Sequence, residues 1–294
     1  MTAFRSRSAL FMPASNQRAI DKARGLACDV VIVDLEDAVA PDAKPTARAA
    51  AVAAVAEGFG GRRQAIRINA LDTAWSVDDA AAVRASRADA VVVPKVSSAD
   101  DLAAARALLG EDGPPIWAMI ETCAAILRLP AIVAAAGTTR TELLIAGTND
   151  LAKDMRCRPG SQREPLLPAL AAIVTAARAA GIVVLDGVCN AIDDPARFAE
   201  ECAQGAVYGF DGKTLIHPSQ IDAANRAFGP SVAEIAWAER VKAGFADPAN
   251  AGRGAIRVDG EMVERLHLAE AERVLAVRAP ADAGSRATPG AASR

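Results

Sequence analysis

The stretch VVIVDLED, residues 30–37, is a short apolar run that ends in acidic side chains, and five later apolar runs likewise end in a charged or polar residue. They are AIRIN (65–69), AVVVPK (90–95), IWAMIE (116–121), ELLIAGTND (142–150) and AVYGFDGK (206–213). Strands that are apolar on both faces are typical of a parallel sheet covered by helices on both sides. The polar residue at the end of each run is then expected where the strands emerge, which is where α/β proteins bind ligands.

Strand-like and helix-like stretches alternate eight times along the chain. The predicted strands are residues 8–14, 30–37, 64–69, 89–96, 116–121, 142–147, 181–185 and 206–210. Eight such units predict an α/β fold with a (β/α)8 barrel, or TIM barrel, over residues 1–230. The structural alternative is a doubly wound open sheet, which usually has a glycine-rich phosphate loop after its first strand, and this sequence lacks that loop.

The region after the predicted barrel contains two helical patterns, at residues 232–245 and 261–278, with a turn at Asp259–Gly260 between them. A segment of this size has little core of its own. We therefore expect a small C-terminal helical extension over residues 231–279 that packs on a neighbouring subunit or on the barrel. Residues 280–294 are rich in Pro, Gly, Ala and Ser, and this composition predicts a disordered tail.

The composition excludes several classes of protein. The 294 residues include 33 basic and 36 acidic side chains, so the chain has no basic field that would attract nucleic acid. No apolar run approaches the ~20 residues of a membrane-spanning helix. The five cysteines form no CxxC pair, which argues against a zinc site or a disulfide framework and favours a cytoplasmic protein.

Two carboxylates, Glu121 and Asp150, end the fifth and sixth predicted strands. Neighbouring barrel strands bring such residues together at one mouth, and two carboxylates without nitrogen or sulfur ligands suit Mg²⁺. The alternative is that each carboxylate pairs with an arginine or caps a helix.

Arg67 ends the third predicted strand beside an acidic cluster, Asp34, Glu36 and Asp37. A guanidinium at this place can bind a carboxylate or an enolate oxygen of a substrate. It can also form a structural ion pair with one of the acids, and both interpretations can hold because the pair would orient the guanidinium. Glu36 and Asp37 are therefore expected to hold Arg67 or a metal-bound water.

Three further residues have less specific contexts. Lys95 ends the fourth predicted strand and could bind a carboxylate or form a Schiff base, although a metal site would make the Schiff base redundant. His217, in KTLIHPSQ, is expected to be part of a fixed turn, and His267 to lie on the surface.

Seven stretches, in this order, match a known family. They are RSALFMPASNQRAIDKA, VVIVDLEDAVAPDAKPTAR, AIRIN, VVVPKV, IWAMIET, GTNDLAKD and GFDGKTLIHPSQI. They resemble the citrate lyase β-subunit-like proteins of the HpcH/HpaI aldolase group. The resemblance implies a (β/α)8 barrel that binds Mg²⁺ and an acyl-CoA thioester, forms trimers or hexamers, and cleaves citryl-, malyl- or citramalyl-type thioesters.

The resemblance also implies roles for individual residues. Glu121 and Asp150 match the metal ligands, and Arg67 matches the active-site arginine. The residues that match positions meeting the CoA phosphates are Arg7, Arg18 and Lys22. Family members often have Glu at the position of Asn149 and at that of Ser97, and a MIDxP-like stretch whose Asp transfers a proton in a neighbouring subunit's site. Here that stretch is MVERL (262–266), so Glu264 takes the place of the Asp.

These observations predict a Mg²⁺-dependent carbon–carbon lyase. Its substrate would be a 3-hydroxy-acyl-CoA such as citramalyl-CoA or malyl-CoA, cleaved to an acyl-CoA and a 2-oxo acid. Two alternatives are an aldolase of free 4-hydroxy-2-oxo acids, which would not need the basic residues, and a citrate lyase β-type component that needs an acyl-carrier partner. The predicted catalytic residues are Arg67, Glu264, Glu36 and Asp37.

Overall fold

The computed structural model describes residues 4–277, so the predicted disordered tail at residues 280–294 lies outside the described part. Contacts between residues divide the chain into two units. One comprises residues 5–228, and the other comprises Phe4 and the residues from Gly229 onwards.

The larger unit is a closed barrel of eight parallel strands that pair in chain order, β1 with β2 and so on until β8 pairs with β1. The strands are Ser8–Pro13 (β1), Val30–Asp34 (β2), Arg63–Arg67 (β3), Ala90–Val93 (β4), Ile116–Ile120 (β5), Thr141–Ala146 (β6), Val183–Asp186 (β7) and Gly212–Leu215 (β8). Every residue of β2, β4, β5 and β8 is buried, as expected for strands covered on both faces. The predicted TIM barrel is confirmed.

Helices follow the strands and form the outer layer. They are Gln17–Ala23 (α1), Lys44–Glu57 (α2), Ser76–Arg84 (α3), Ala99–Leu109 (α4), Cys123–Ala134 (α5), Ala136–Thr139 (α6), Thr148–Asp154 (α7), Leu167–Ala180 (α8), Pro195–Tyr208 (α9) and Ile221–Ala227 (α10). The core faces of several helices are rich in alanine, including Ala47, Ala51 and Ala54 of α2, which lets the helices lie close to the strands. The short helix α7 directly follows β6, so the loop after β6 carries a helix of its own before α8.

The predicted eighth strand, residues 206–210, is wrong. Residues 206–208 are the last turn of α9, which ends at Gly209 in the left-handed conformation, with φ of 92°. The strand itself is Gly212–Leu215. Val207 is 84% exposed although Phe210 is buried. A short apolar run looks the same in a helix and in a strand, and only its burial separates the two.

The last barrel strands are braced by a buried cluster of four charged side chains. Lys213 Nζ lies 2.8 Å from both Asp186 Oδ2 and Glu201 Oε1, and Arg163 Nη1 lies 2.8 Å from Asp186 Oδ1. Burial raises the pKa of Asp186, but Lys213 and Arg163 outweigh this effect and hold it below its ordinary value. The cluster ties β7, β8, α9 and the loop before α8 together.

The C-terminal unit contains α11 (Val232–Ala246), a two-stranded antiparallel sheet, and α12 (Arg265–Val277). The strands β9 (Ala255–Val258) and β10 (Glu261–Glu264) are joined by the predicted turn, where Asp259 and Gly260 both have positive φ. The helix predicted over residues 261–278 therefore begins only at Arg265. Val263 is buried between exposed neighbours, the two-residue period of a strand, and this places Glu264 at the end of β10 rather than on a helix.

The apolar core of this unit consists of Ala238, Val241, Ile256, Val263, Ala271 and Val274. The unit thus has a core of its own, built from both helices and the hairpin. Among the described residues, no helix has the length and apolar character needed to cross a membrane.

Candidate active site

A cavity of about 370 Å³ opens where the barrel strands end. Its lining combines apolar and charged residues, which are Phe11, Pro13, Asp34, Asp37, Ala38, Arg67, Met119, Glu121, Ala146, Gly147, Thr148, Asn149, Asp150, Val188, Thr214 and Ile216. The C-terminal mouth is the usual position of the active site in such barrels. The structure therefore brings Arg67, Asp37, Glu121 and Asp150 together, as the sequence predicted.

Arg67, the last residue of β3, is buried and held by the neighbouring strand. Its Nε and Nη2 donate to the two carboxylate oxygens of Asp34, each at 2.7 Å, because the two residues are paired in register. The guanidinium also lies 4.7 Å from the centre of the Phe11 ring. Burial lowers the pKa of Arg67, but Asp34 and Glu36 outweigh this and raise it, so the side chain is a fixed cation with one nitrogen, Nη1, not bonded to Asp34.

Glu36 lies in the turn after β2, which ends at Asp34 rather than at the predicted Asp37. Its Oε2 is 2.9 Å from Arg67 Nη1, and its Oε1 is 2.9 Å from Lys95 Nζ. Burial raises the pKa of Glu36, and the two cations oppose this effect. Asp37 is more exposed, and its Oδ2 is 4.0 Å from Arg67 Nη1.

Glu121 directly follows β5 and is almost completely buried. Its Oε1 accepts a 2.7 Å hydrogen bond from the backbone N–H of Lys95. Gly147 leaves room for the carboxylate, since a β-carbon there would overlap Glu121 Oε2. Burial raises the pKa of Glu121 to about 7, and the charges of Glu36 and Asp150 add to this effect.

Asp150 lies in the first turn of α7 rather than at the end of the sixth strand as predicted, because β6 already ends at Ala146, and its charge acts on Glu121 from this helix. Among residues 4–277, no group of three or more His, Cys, Asp or Glu side chains is arranged to hold a metal ion. Mg²⁺ is commonly bound through one or two carboxylates, with waters and substrate oxygens completing its shell. Glu121 and Asp150, two carboxylates beside an open cavity, fit that requirement.

The three basic residues expected to meet CoA do not lie together. Arg18 and Lys22 are exposed on α1, whose first turn follows the end of β1 at the mouth. Arg7 precedes β1, so it lies at the opposite end of the barrel, where its Nε and Nη2 bond to Asp29 at 2.7 and 2.8 Å. The structure therefore separates Arg7 from the mouth and gives it a structural ion pair, because it begins a strand rather than following one.

Glu264 belongs to the C-terminal unit, where its side chain is exposed. Its backbone N–H donates to His267 Nδ1 at 2.9 Å, so His267 covers the start of α12. His217 has a comparable local role, since its Nδ1 accepts from the backbone N–H of Ser219 at 3.2 Å. Gln220 completes this predicted turn by accepting the backbone N–H of His217 through its side-chain oxygen.

Sequence reasoning missed two residues that shape the site. Lys44 is buried, and its Nζ donates to the carbonyl oxygens of Leu35 and Glu36, each at 2.8 Å, which fixes the acidic turn. A lysine within DLEDAVAPDAK, only eight residues after Glu36, was the available signal. Gly147 was the second, and its position directly after β6, opposite Glu121, could have indicated a close approach.

A closed parallel barrel with a buried arginine and two carboxylates at its C-terminal mouth defines a barrel enzyme. The chain belongs to the HpcH/HpaI aldolase/citrate lyase family, whose model matches residues 7–218. The resemblance stated from the sequence motifs is thereby confirmed.

Three known proteins are similar to this chain over most of its length. The chain is 44% identical to a (3S)-malyl-CoA thioesterase of Cereibacter sphaeroides over 92% of this chain and 93% of that protein. It is 31% identical to an L-malyl-CoA/β-methylmalyl-CoA lyase of Cereibacter sphaeroides over 92% and 93%. The fold is also similar to the crystal structure of CitE from Mycobacterium tuberculosis in complex with magnesium, acetoacetate and coenzyme A. The TM-score is 0.72 and the sequence identity is 32%, and the match covers 92% of this chain and 97% of that one.

Proposed function

We propose that this protein is a Mg²⁺-dependent carbon–carbon lyase that acts on a 3-hydroxy-acyl-CoA of the malyl or citramalyl type. The observation that carries the proposal is the convergence of Arg67, Glu121 and Asp150 on one cavity at the mouth of the barrel. The magnesium, acetoacetate and coenzyme A bound by the CitE relative, and the malyl-CoA lyase relative, support both the ion and the substrate class.

Each residue has a distinct task in this reaction. Glu121 and Asp150 hold the ion, which when bound polarises the substrate oxygen that becomes the 2-oxo acid carbonyl. Arg67 Nη1 faces charge that develops on substrate oxygens as the bond between the hydroxyl-bearing carbon and the carbon next to the thioester breaks. Glu36 and Asp37 orient Arg67, which Asp34 already holds from the neighbouring strand.

The cleaved bond leaves its electron pair on the acyl-CoA as an enolate, and the substrate hydroxyl loses its proton as its oxygen becomes the 2-oxo acid carbonyl. We propose that Glu264 of a neighbouring subunit takes up the hydroxyl proton and delivers a proton to the enolate carbon, with the C-terminal unit packing on that neighbour in a homotrimer or hexamer. The exposed carboxylate of Glu264 at the end of β10 supports this role. We further propose that Arg18 and Lys22 meet the CoA phosphates, and that the protein works in the cytoplasm.

Thioester hydrolysis is a second candidate function, favoured by the 44% identity to a (3S)-malyl-CoA thioesterase. Hydrolysis would use the same ion and the same arginine, but it would break the carbon–sulfur bond of malyl-CoA and release malate and free CoA. Carbon–carbon cleavage of the same substrate would release glyoxylate and acetyl-CoA instead. The products therefore separate the two reactions.

The test is to incubate the purified protein with malyl-CoA or citramalyl-CoA and Mg²⁺ and to measure 2-oxo acid and free thiol in parallel. We expect 2-oxo acid and acyl-CoA in equal amounts, abolished by EDTA and by Glu121→Gln, a nearly isosteric change. Free thiol without 2-oxo acid would establish the thioesterase instead. Turnover of free 4-hydroxy-2-oxo acids alone, or only after an acyl-carrier partner is added, would contradict the CoA assignment.

A further inference from the structure

Lys95 has an unusual backbone conformation at the mouth of the barrel. It follows β4 by two residues and has φ of 56°, in the left-handed region that glycine adopts far more readily than lysine. A side chain kept at such a position is a reason to look for a function that requires it.

Two contacts of Lys95 reach the candidate active site, and only one of them needs a side chain. The backbone N–H donates to Glu121 Oε1, a bond that any residue other than proline could make. The ammonium nitrogen lies 2.9 Å from Glu36 Oε1 and donates to it. The left-handed turn directs both donors at once, the first to a proposed metal ligand and the second to the acid beside Arg67.

Glu36 connects Lys95 to Arg67. Its other oxygen, Oε2, is 2.9 Å from Arg67 Nη1 but is not aligned for a hydrogen bond. Arg67 uses Nε and Nη2 to bind Asp34, and Nη1 donates one N–H to Met119 Sδ at 3.8 Å, so the second N–H of Nη1 is the one left for another partner. Glu36 already forms an ion pair with Nη1, and without Lys95 as a second cation its carboxylate would bind Nη1 more strongly and compete with a substrate oxygen for it.

We propose that Lys95 is a positioning residue: its ammonium holds Glu36 so that Arg67 Nη1 stays available to a substrate oxygen. The inference rests on the proposed function in so far as the oxygen belongs to the substrate of the lyase reaction. It assigns Lys95 neither a Schiff base nor a metal contact.

The test uses Lys95→Gly, which keeps the backbone N–H to Glu121 and suits the left-handed conformation while it removes the ammonium. Calorimetry measures binding of Mg²⁺, and then of oxalate in the presence of Mg²⁺, since oxalate is a dianion whose oxygens are placed like the carboxylate and carbonyl oxygens of a 2-oxo acid. We expect the Mg²⁺ affinity to change less than about twofold and the oxalate affinity and kcat/KM to fall roughly tenfold, the scale of one hydrogen bond to a charged group. Lys95→Arg, which keeps a cation, should retain part of the oxalate affinity and part of kcat/KM.

Two further variants test whether the effect is specific to Lys95 and whether it acts through Glu36. Arg156→Gly makes the same kind of change, from a cation to glycine at φ of 55°, at an exposed position outside the cavity lining, and should alter neither affinity. In a Glu36→Gln background, Lys95→Gly should lower the oxalate affinity little further, because Lys95 acts through Glu36.

Unchanged oxalate affinity in Lys95→Gly, or a loss of equal size in both backgrounds, would overturn the inference. The proposed function fails separately, if the unaltered protein binds Mg²⁺ and oxalate but converts no thioester. In that case a loss of oxalate affinity in Lys95→Gly would still support the positioning role.

Discussion

Glu121 is buried, but its proposed role as a Mg²⁺ ligand requires the deprotonated carboxylate. Its pKa, raised to about 7 by burial, means that the metal-free protein retains this proton well above the ordinary value of 4.5. Mg²⁺ binds the carboxylate, so binding must release the proton at acidic pH. We predict that the apparent Mg²⁺ affinity rises roughly tenfold per pH unit below 7 and levels off above it.

Calorimetry between about pH 5.5 and 8.5, in buffers of different ionisation enthalpy, measures both the affinity and the protons released. The same pKa shift lowers the free energy of unfolding of the metal-free protein as pH rises from 4.5 to 7, because Glu121 loses its proton in the unfolded chain at a lower pH than in the folded one. Added Mg²⁺ should therefore raise the melting temperature more at pH 8 than at pH 5.5. A Mg²⁺ affinity that does not change with pH would contradict the assignment of Glu121 as a ligand.

Gly147 offers a test that leaves the charged residues in place. The β-carbon of an alanine at this position would overlap the side chain of Glu121, and both groups are buried, so one of them must move. We predict that Gly147→Ala lowers the Mg²⁺ affinity and kcat about tenfold or more, the scale of losing one charge-assisted contact. Gly137→Ala is the matched control, because nothing lies within 4 Å of a β-carbon there. Equal Mg²⁺ affinities in the two variants would argue against Glu121 as a ligand.

At the scale of an element, α1 presents two cations one turn apart, Arg18 and Lys22, on a helix that begins at the mouth. Exposed cations of this kind attract phosphates, and salt screens the attraction. We predict that Arg18→Glu combined with Lys22→Glu raises the KM for the thioester, with a larger effect at low ionic strength and little change in melting temperature.

The matched control is Arg84→Glu combined with Arg87→Glu, which reverses two charges at the end of α3 and in the loop that leads into β4. These residues lie at the opposite end of the barrel, so the KM should stay close to that of the unaltered protein. A similar rise in both double variants would show that overall charge, rather than α1, determines thioester binding.

At the scale of the whole molecule, the proposed proton donor and the barrel cavity belong to different units of the chain. If Glu264 acts in a neighbouring subunit's site, Glu264→Gln should lower kcat by about 10²-fold, the usual scale for losing a general acid. Mixing it with Glu121→Gln under subunit exchange should restore some activity, because some mixed sites receive neither change.

Glu261→Gln, on the same exposed strand, is the control and should keep kcat unchanged. The alternative role of Glu264 is a favourable negative charge at the start of α12, which would affect stability rather than kcat. Unchanged turnover in Glu264→Gln, or no recovery on mixing despite measured subunit exchange, would exclude the shared site.

The sequence by itself determined the barrel and the end of it that carries the chemistry. Runs such as VVIVD and IWAMI are buried on both faces, and a few consecutive apolar residues are enough to indicate this. A residue that follows such a run must emerge at the C-terminal mouth, which is why the sequence alone was enough to group Arg67, Glu121 and Asp150.

Only the tertiary structure decided which charges meet. The register of β2 against β3 pairs Asp34 with Arg67, and a left-handed turn brings Lys95 to both Glu36 and Glu121. The same limit explains why the strand predicted at residues 206–210 was wrong, why Glu264 was expected on a helix, and why Arg7 was grouped with Arg18 and Lys22. Pairing and burial depend on surfaces supplied by distant segments, and a local pattern of apolar and charged residues does not contain that information.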